Sequence, residues 1–297
     1  MQAFILAAGK GERLLPFTHY VPKPLFHIVG QPLLGLLLDN LIKLGVSRIG
    51  LNAYHLAPQI RAFIKEYQAL HPGVSLRIFE EPVLLGPLGG LRGAKDFFTT
   101  PTLVVNADIV TNFPFMTLWE AHQKNPAEVT MLLHHYPSFN NVMVQQDNVV
   151  GFSKTKGQYA YTGIQVVTPE LVRSLGPEDR DLVPSYSKLL KKGFKIKALI
   201  ATSFYWRDIG TLRSYLAVHE DILYRRAKIP GIKTPKSPFV YYVYPQKLHF
   251  EEWVFIEQGV SISPGTKLKK VVAWEGSTIP RGTHQEKLFI PHVTLHK

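Results

Sequence analysis

The residues with the clearest chemical capacity open the chain, in MQAFILAAGKGERLLPFTHYVPKP. Gly9 and Gly11 allow a tight turn and let backbone N–H groups approach a phosphate or a flat base with no Cβ in the way. Arg13 and Lys23 add fixed positive charge. Pro16, Pro22 and Pro24 remove backbone freedom, so the segment reads as a stiffened loop and not as a helix. A rigid, cationic, glycine-started loop is an anion site. Further on, the buried run TLVVNADIV ends in Asn106-Ala107-Asp108. An aspartate at the carboxyl end of a central strand offers the hard oxygen that Mg²⁺ prefers.

The elements that must position these groups follow from periodicity. Ala3 to Ala8 is a short continuous apolar run, which suits a parallel strand covered on both faces. Phe26 to Val29 reads as a short strand, and Pro32 starts a helix that runs to Leu44 and is capped by Gly45. Val46 to Ala53 and Val74 to Phe79 are strands on either side of a helix from Pro58 to Leu70, which places Ile60, Phe63, Ile64 and Tyr67 on one face. This alternation predicts a doubly wound α/β fold with a mixed, mostly parallel sheet, whose ligands lie outside the strands' carboxyl ends. Ala127 to His135 and Val142 to Phe152 are also strand-like, with a hairpin turn at Asp147-Asn148. Ser203 to Trp206 is strand-like, and Thr211 can cap a helix from Leu212 to Tyr224.

A dinucleotide fingerprint needs a third glycine where Leu14 stands, and a P-loop needs Gly-Lys-Ser/Thr, which is missing. The loop instead resembles the signature of the sugar-1-phosphate nucleotidyltransferases, or NDP-sugar pyrophosphorylases: L-A-A-G-x-G-x-R with a later P-K-P. Leu6 to Arg13 and Pro22 to Pro24 match it throughout. The resemblance implies that Leu6, Ala8, Gly9 and Gly11 contact the nucleotide, that Arg13 meets its phosphates, and that Lys23 lies over the reacting phosphoryl group.

EEPVLLGPLGGLRGAK resembles the family's second nucleotide loop, L-G-T-A-G-A-L, with Pro87, Leu88 and Gly90 as departures. Gly86 keeps its place, and Glu81 stands where the family reads the base edge. A carboxylate there can accept from the ring N–H of uracil, thymine or guanine but not from cytosine, which favours UTP, GTP or dTTP over CTP. GFSKT resembles the sugar-phosphate motif F-x-E-K-P, so Lys154 would hold the sugar phosphate. Tyr161-Thr162-Gly163-Ile164 resembles the strand whose glycine passes the sugar ring. FYWRDIGT resembles the closing motif W-x-D-I-G-T, which makes Asp208 the second Mg²⁺ carboxylate, facing Asp108.

From Val254 a six-residue rhythm appears. Val254, Val260, Thr266, Val272 and Thr278 form one row, and Ile256, Ile262, Leu268, Trp274 and Pro280 form another. Gly259, Gly265, Gly276 and Gly282 fall at turn positions. Such hexads resemble a left-handed parallel β-helix, so the expected organisation is a catalytic domain at 1–227, a linker at 228–253 and a β-helix-like tail at 254–297. A tail of about two coils must be covered by the catalytic domain or by a second copy, which makes a homo-oligomer an expectation.

Hydrophobic residues make up 45% of the 297, ample for a large core. The chain has no cysteine, which excludes disulfides and thiolate metal sites. The twelve histidines show no metal-ligand spacing, and His134 and His135 would point to opposite faces of a strand. No apolar stretch approaches the roughly 20 residues of a membrane span, and no secretory leader is visible, so the expected location is cytoplasmic. The net charge of +12 is scattered as singles and doubles, which suits polyanionic substrates and not nucleic acid or a membrane. The expected partners are therefore an NTP and a sugar 1-phosphate. A catalytically silent homologue that binds a nucleotide sugar is the alternative, and retention of Arg13, Lys23, Asp108 and Asp208 argues against it.

Overall fold

Strand Gln2–Leu6 forms where the sequence is apolar without interruption, and Ala3, Phe4 and Ile5 are wholly buried. It pairs in parallel with Arg48–Ala53 on one side and Thr102–Asn106 on the other. The computed structural model describes residues 1–241 and 248–291; residues 242–247 of the expected linker and 292–297 of the expected tail lie outside the described residues. By compactness the chain falls into two units, neither of them continuous in sequence. The first comprises Met1–Gly9, Asn40–Ala107 and Phe113–Phe204, and the second Lys10–Asp39, Asp108–Asn112 and Tyr205–Lys297.

The first unit is built on a nine-stranded sheet. Its order is Ser75–Glu80, Arg48–Ala53, Gln2–Leu6, Thr102–Asn106, Ala160–Val167, Val129–His134, Ile196–Ile200, Asn148–Phe152 and Val142–Gln145. The first four strands run parallel, as does the pair Val129–His134 and Ile196–Ile200. The remaining neighbours are antiparallel. Helix Ala57–Leu70 buries Ile60, Ile64 and Tyr67 of the face read from their spacing and leaves Phe63, at its edge, half-buried. Phe4 meets Phe79, Phe97 and Phe98 at ring-centre distances of 5.8, 5.8 and 5.1 Å. His134 is buried and His135 exposed, so the two do point apart.

In the second unit the first loop is held by three short 3₁₀ turns, Glu12–Leu14, Phe17–His19 and Lys23–Leu25. Leu14, Phe17, Phe26 and Ile28 sink into a core shared with helix Leu212–Leu223 and with Trp253, Val272, Trp274 and Leu288 of the C-terminal region. The tail's apolar rows are thus covered on this side within the chain.

That region stacks Phe239–Val240, His249–Ile256, Lys267–Ala273 and Thr283–Phe289 as parallel strands, while Ser261–Ile262 pairs in parallel with Thr278–Ile279 in a second sheet. Left-handed backbone recurs at three kinds of position along this stack. Two use glycines in the left-handed region, Gly259 and Gly265 and then Gly276, all with φ between 76 and 78°, and Gly282 at 148°. The third uses Glu252, Lys270 and Glu286, with φ of 58, 54 and 52°, a conformation that costs a side-chain-bearing residue about 1 kcal/mol. Lys269 and Lys270 both reach Glu252 there, at 2.8 and 3.0 Å.

The hexad rows hold only in part. Val254, Val260, Thr266 and Val272 are buried, as are Ile256, Leu268 and Trp274, but Ile262 is half-buried and Thr278 and Pro280 are exposed. The rhythm slips before Val271: Glu251 pairs with Lys269, three hexads on, but Val254 pairs with Val271, one residue short, and further on Ser277 and Ile279 take the buried places. Ile262 stacks on Ile279, one residue short of three hexads, and a shorter coil shifts every later side chain.

Candidate active site

Four charged side chains predicted from the sequence come together in the second unit. Asp108 lies at the start of strand Ile109–Thr111, which pairs antiparallel with Trp206–Asp208 so that Asp208 opposes Ile109. The N–H of Ile209 donates to the Asp108 carbonyl at 2.9 Å, which makes the two aspartates neighbours across this short ladder. Lys23 Nζ donates to Asp108 Oδ2 at 2.7 Å, and the Arg13 guanidinium stands 3.6 Å from Asp208 Oδ2. Lys23 is mostly buried, whereas Asp108 and Asp208 remain partly open to solvent.

The Asp208 strand is fixed from behind. Arg207 donates to Asp221 of helix Leu212–Leu223 at 3.0 Å, and the Tyr205 hydroxyl donates to the same oxygen at 2.9 Å. That helix starts with a reciprocal cap between Thr211 and Ser214, as the Thr211 reading predicts. The strand itself lies at Trp206–Asp208, later than the sequence suggested for Ser203 to Trp206, because the Ile109–Thr111 partner sets the pairing.

Gly210 stands two residues after Asp208. A Cβ there would collide with the ends of both the Arg13 guanidinium and the Asp208 carboxylate. These are flexible tips, so Gly210→Ala should fold normally while displacing both groups, and turnover should fall about 10²-fold. Steady-state kinetics beside a urea titration checks this; unchanged turnover would show that neither group needs its present place.

The first unit supplies the remaining predicted positions. Leu6 ends its strand, Ala8 is buried and Gly9 is exposed, with no protein atom within 4 Å of where its Cβ would stand. Gly11, already in the second unit, has φ 68° and would press a Cβ against Thr18. Gly163 has φ 84° and lets the Asn106 side chain pack where a Cβ would be. Lys154 is exposed on the turn after strand Asn148–Phe152.

Glu81 is buried, and both its oxygens are engaged. Asn52 Nδ2 donates to Oε1 at 2.7 Å and the Leu85 N–H to Oε2 at 2.8 Å, while Asn52 Oδ1 accepts from the Ala7 N–H at 2.7 Å. Glu80, by contrast, is a solvated strand end paired with Arg61. Gly90 is explained by the same network, since a Cβ there would strike the Asn52 amide and lie 2.9 Å from Glu81 Oε1. Asn52 was not singled out from the sequence, and its one signal is a polar residue near the carboxyl end of a buried parallel strand. Arg180 was also missed. Its guanidinium donates to the Leu84 and Leu85 carbonyls and its own carbonyl accepts from the Leu88 N–H, which pins the turn at Gly86.

Burial lifts the Glu81 carboxyl above its ordinary range, against the lowering pull of Leu85 and Asn52. The native state therefore holds this proton more tightly than the unfolded chain. Its contribution favours folding below the ordinary carboxyl range and is lost as pH rises through the raised value. The stability difference between Glu81→Gln and the parent should thus move in favour of glutamine as pH rises through and above the ordinary carboxyl range. Urea titrations across that range measure it, and a difference independent of pH would mean that Glu81 titrates as a solvated group.

Residues 2–225 match the family described as Nucleotidyl transferase. The chain belongs to the sugar-1-phosphate nucleotidyltransferase family. Its reaction passes a nucleotidyl group from an NTP to a sugar 1-phosphate, giving an NDP-sugar and pyrophosphate. Among relatives of this nucleotidyltransferase, the UTP–glucose-1-phosphate uridylyltransferase of Synechocystis is 30% identical, over 81% of this chain and 68% of its own length. The mannose-1-phosphate guanylyltransferase of Mycobacterium tuberculosis is 26% identical over 95% of this chain and 82% of its own. The solved inositol-1-phosphate CTP transferase of T. maritima shares the fold, with a TM-score of 0.61 and 21% identity, covering 71% of this chain and 89% of that one. Among the described residues, no helix is long and apolar enough to cross a membrane.

Proposed function

We propose that this nucleotidyltransferase uses Arg13 and Lys23 on the NTP phosphates, Lys154 on the sugar phosphate, and Asp108 with Asp208 for Mg²⁺. The observation that carries the reading is the pairing of Lys23 with Asp108 and of Arg13 with Asp208 across one short ladder. The nucleophile is already anionic near neutral pH, because the second pKa of a phosphate monoester is about 6, so no general base is required. The barrier is repulsion between two polyanions. Arg13, Lys23 and Lys154 lower it by neutralisation, and the stiffened loop lowers it by alignment.

The two aspartates suit Mg²⁺ because they are hard oxygen donors, adjacent and partly open to solvent. Among the described residues no three His, Asp or Glu side chains cluster around a metal position, so the ion would complete its shell from water and substrate oxygens. When bound, it would supply further charge neutralisation at the phosphates. Leu6, Ala8, Gly9, Gly11 and Gly86 are assigned to the nucleotide, and Gly163 to the sugar. Glu81 would read a ring N–H through the lone pairs left by Asn52 and Leu85, again favouring UTP, GTP or dTTP.

The catalytic assignments all precede residue 227, which fits a catalytic stretch 1–227 joined by 228–253 to a tail at 254–297. The parallel strand stack, with left-handed backbone recurring along it, supports a β-helix for that tail, with a left hand as the resemblance implies. A homo-oligomer would have to use faces of the tail other than the one covered by helix Leu212–Leu223, and light scattering measures it. A cytoplasmic setting fits the proposed substrates.

The test is pyrophosphate release over a panel of UTP, GTP, dTTP, CTP and ATP with glucose, mannose and other sugar 1-phosphates, with and without Mg²⁺. Turnover with one pairing above the rest supports the reading. Tight nucleotide-sugar binding without turnover on any pairing would favour the silent homologue.

A further inference from the structure

We propose that Glu257 and Trp274, in the C-terminal coils, are positioning residues for the catalytic lysine. This rests on the reading of Lys23 as the group over the reacting phosphoryl.

Lys23 begins a 3₁₀ turn closed by the Phe26 N–H on the Lys23 carbonyl at 3.0 Å, so the lysine's backbone is only as fixed as Phe26 and His27. Both are gripped by the tail. The Phe26 ring stands edge-on to Trp274, with centres 5.2 Å apart, and to Tyr215 at 5.6 Å. The His27 ring lies flat on Trp274 at 4.5 Å, and its Nδ1 is 2.8 Å from Glu257 Oε1. The other Glu257 oxygen accepts from the Glu275 N–H at 2.9 Å, so this carboxylate is held at both ends.

A hydrogen-bonded chain completes the joint. Trp274 Nε1 donates to the Tyr215 hydroxyl at 3.0 Å, and that hydroxyl donates to the His27 carbonyl at 2.7 Å. Tyr215 lies in the first turn of helix Leu212–Leu223, its N–H on the Thr211 carbonyl at 2.9 Å, directly after the Asp208–Gly210 segment. The arm that carries Lys23 and the arm that carries Asp208 therefore meet at one junction whose third member is the tail. Phe26, Tyr215 and Trp274 are almost wholly buried, so slack at one is passed to the others.

The experiment compares kcat and KM for the NTP in Glu257→Ala, Lys23→Ala and the double variant, with a urea titration of each. Glu257→Ala should lower kcat about tenfold with little change in KM, as expected for the loss of a coupling between packed neighbours. In the Lys23→Ala background the same change should cost almost nothing more, because no lysine is left to position. Trp274→Phe removes the N–H to Tyr215 and trims the ring that packs on Phe26 and His27, and should also lower kcat; it carries the test should Glu257→Ala fail to fold. Unchanged kcat in a folded Glu257→Ala enzyme, or a loss that multiplies undiminished in the Lys23→Ala background, overturns the positioning role alone. Unchanged kcat in Lys23→Ala overturns the reading of Lys23 and this inference with it.

Discussion

Asp108→Asn and Asp208→Asn should each reduce turnover by at least about 10²-fold while leaving the chain folded. Both carboxylates sit at the edge of a short ladder and are partly exposed, and neither belongs to an apolar core. An asparagine has nearly the same shape and still accepts a hydrogen bond from Lys23, so little folding energy is at stake. What it lacks is the full negative charge that a divalent cation requires of an oxygen donor. The two variants should differ in one respect. Asp108→Asn leaves the Lys23 charge without the neutralising carboxylate 2.7 Å away and should tighten NTP binding in the absence of metal, whereas Asp208→Asn leaves that ion pair intact. Kinetics against Mg²⁺ concentration and metal-free nucleotide titrations separate these effects. Near-normal Mg²⁺-dependent turnover in either variant would sink the metal assignment.

The parts of this molecule that could be read from its sequence are those encoded by local chemistry. The apolar run at Ala3 to Ala8 holds a covered strand, which ends at Leu6 with Ala7 and Ala8 buried beyond it, Gly45 ends its helix with φ 82°, and Thr211 caps the helix expected of it. The loop around Arg13 is not an α-helix because its prolines forbid one, and short 3₁₀ turns are what such a segment can still form. The hairpin expected at Asp147-Asn148 turns one residue earlier, at Gln146-Asp147, because Asn148 already pairs with Gln145.

What escaped is long-range. No periodicity connects Asn52 with Ala7 and Glu81, or Arg180 with the Gly86 turn, because each contact joins segments far apart in sequence through one polar side chain. Glu81 was read as free to meet a base, and only its burial and its two donors show how much of its capacity is already used. The hexads failed from Val271 onward for a related reason. A coil's length is set by how it stacks on the coil before it, and a one-residue contraction is invisible to a fixed period. The site charges were legible as types, but their pairing depends on strands Ile109–Thr111 and Trp206–Asp208 finding each other.

Lys23→Ala should lower kcat by about 10²- to 10³-fold, with a much smaller change in the NTP KM. In the free chain Lys23 neutralises Asp108 from a position that is only 11% exposed, so its ammonium is held by a fixed partner before any substrate arrives. A charge fixed in advance stabilises the group that gains negative character in the transition state without a reorganisation cost at that moment. Ground-state binding depends less on it, because Arg13 and the backbone of the glycine loop remain. Lys23→Arg is the informative companion. It keeps the charge but spreads it over a planar fork that cannot occupy the same point beside Asp108, so recovery should be partial. Single-turnover measurements separate the chemical step from binding and product release. If Lys23→Ala instead raises KM and leaves kcat unchanged, the lysine binds substrate equally in ground and transition states, and the source of transition-state stabilisation must be sought at Arg13 and the aspartates.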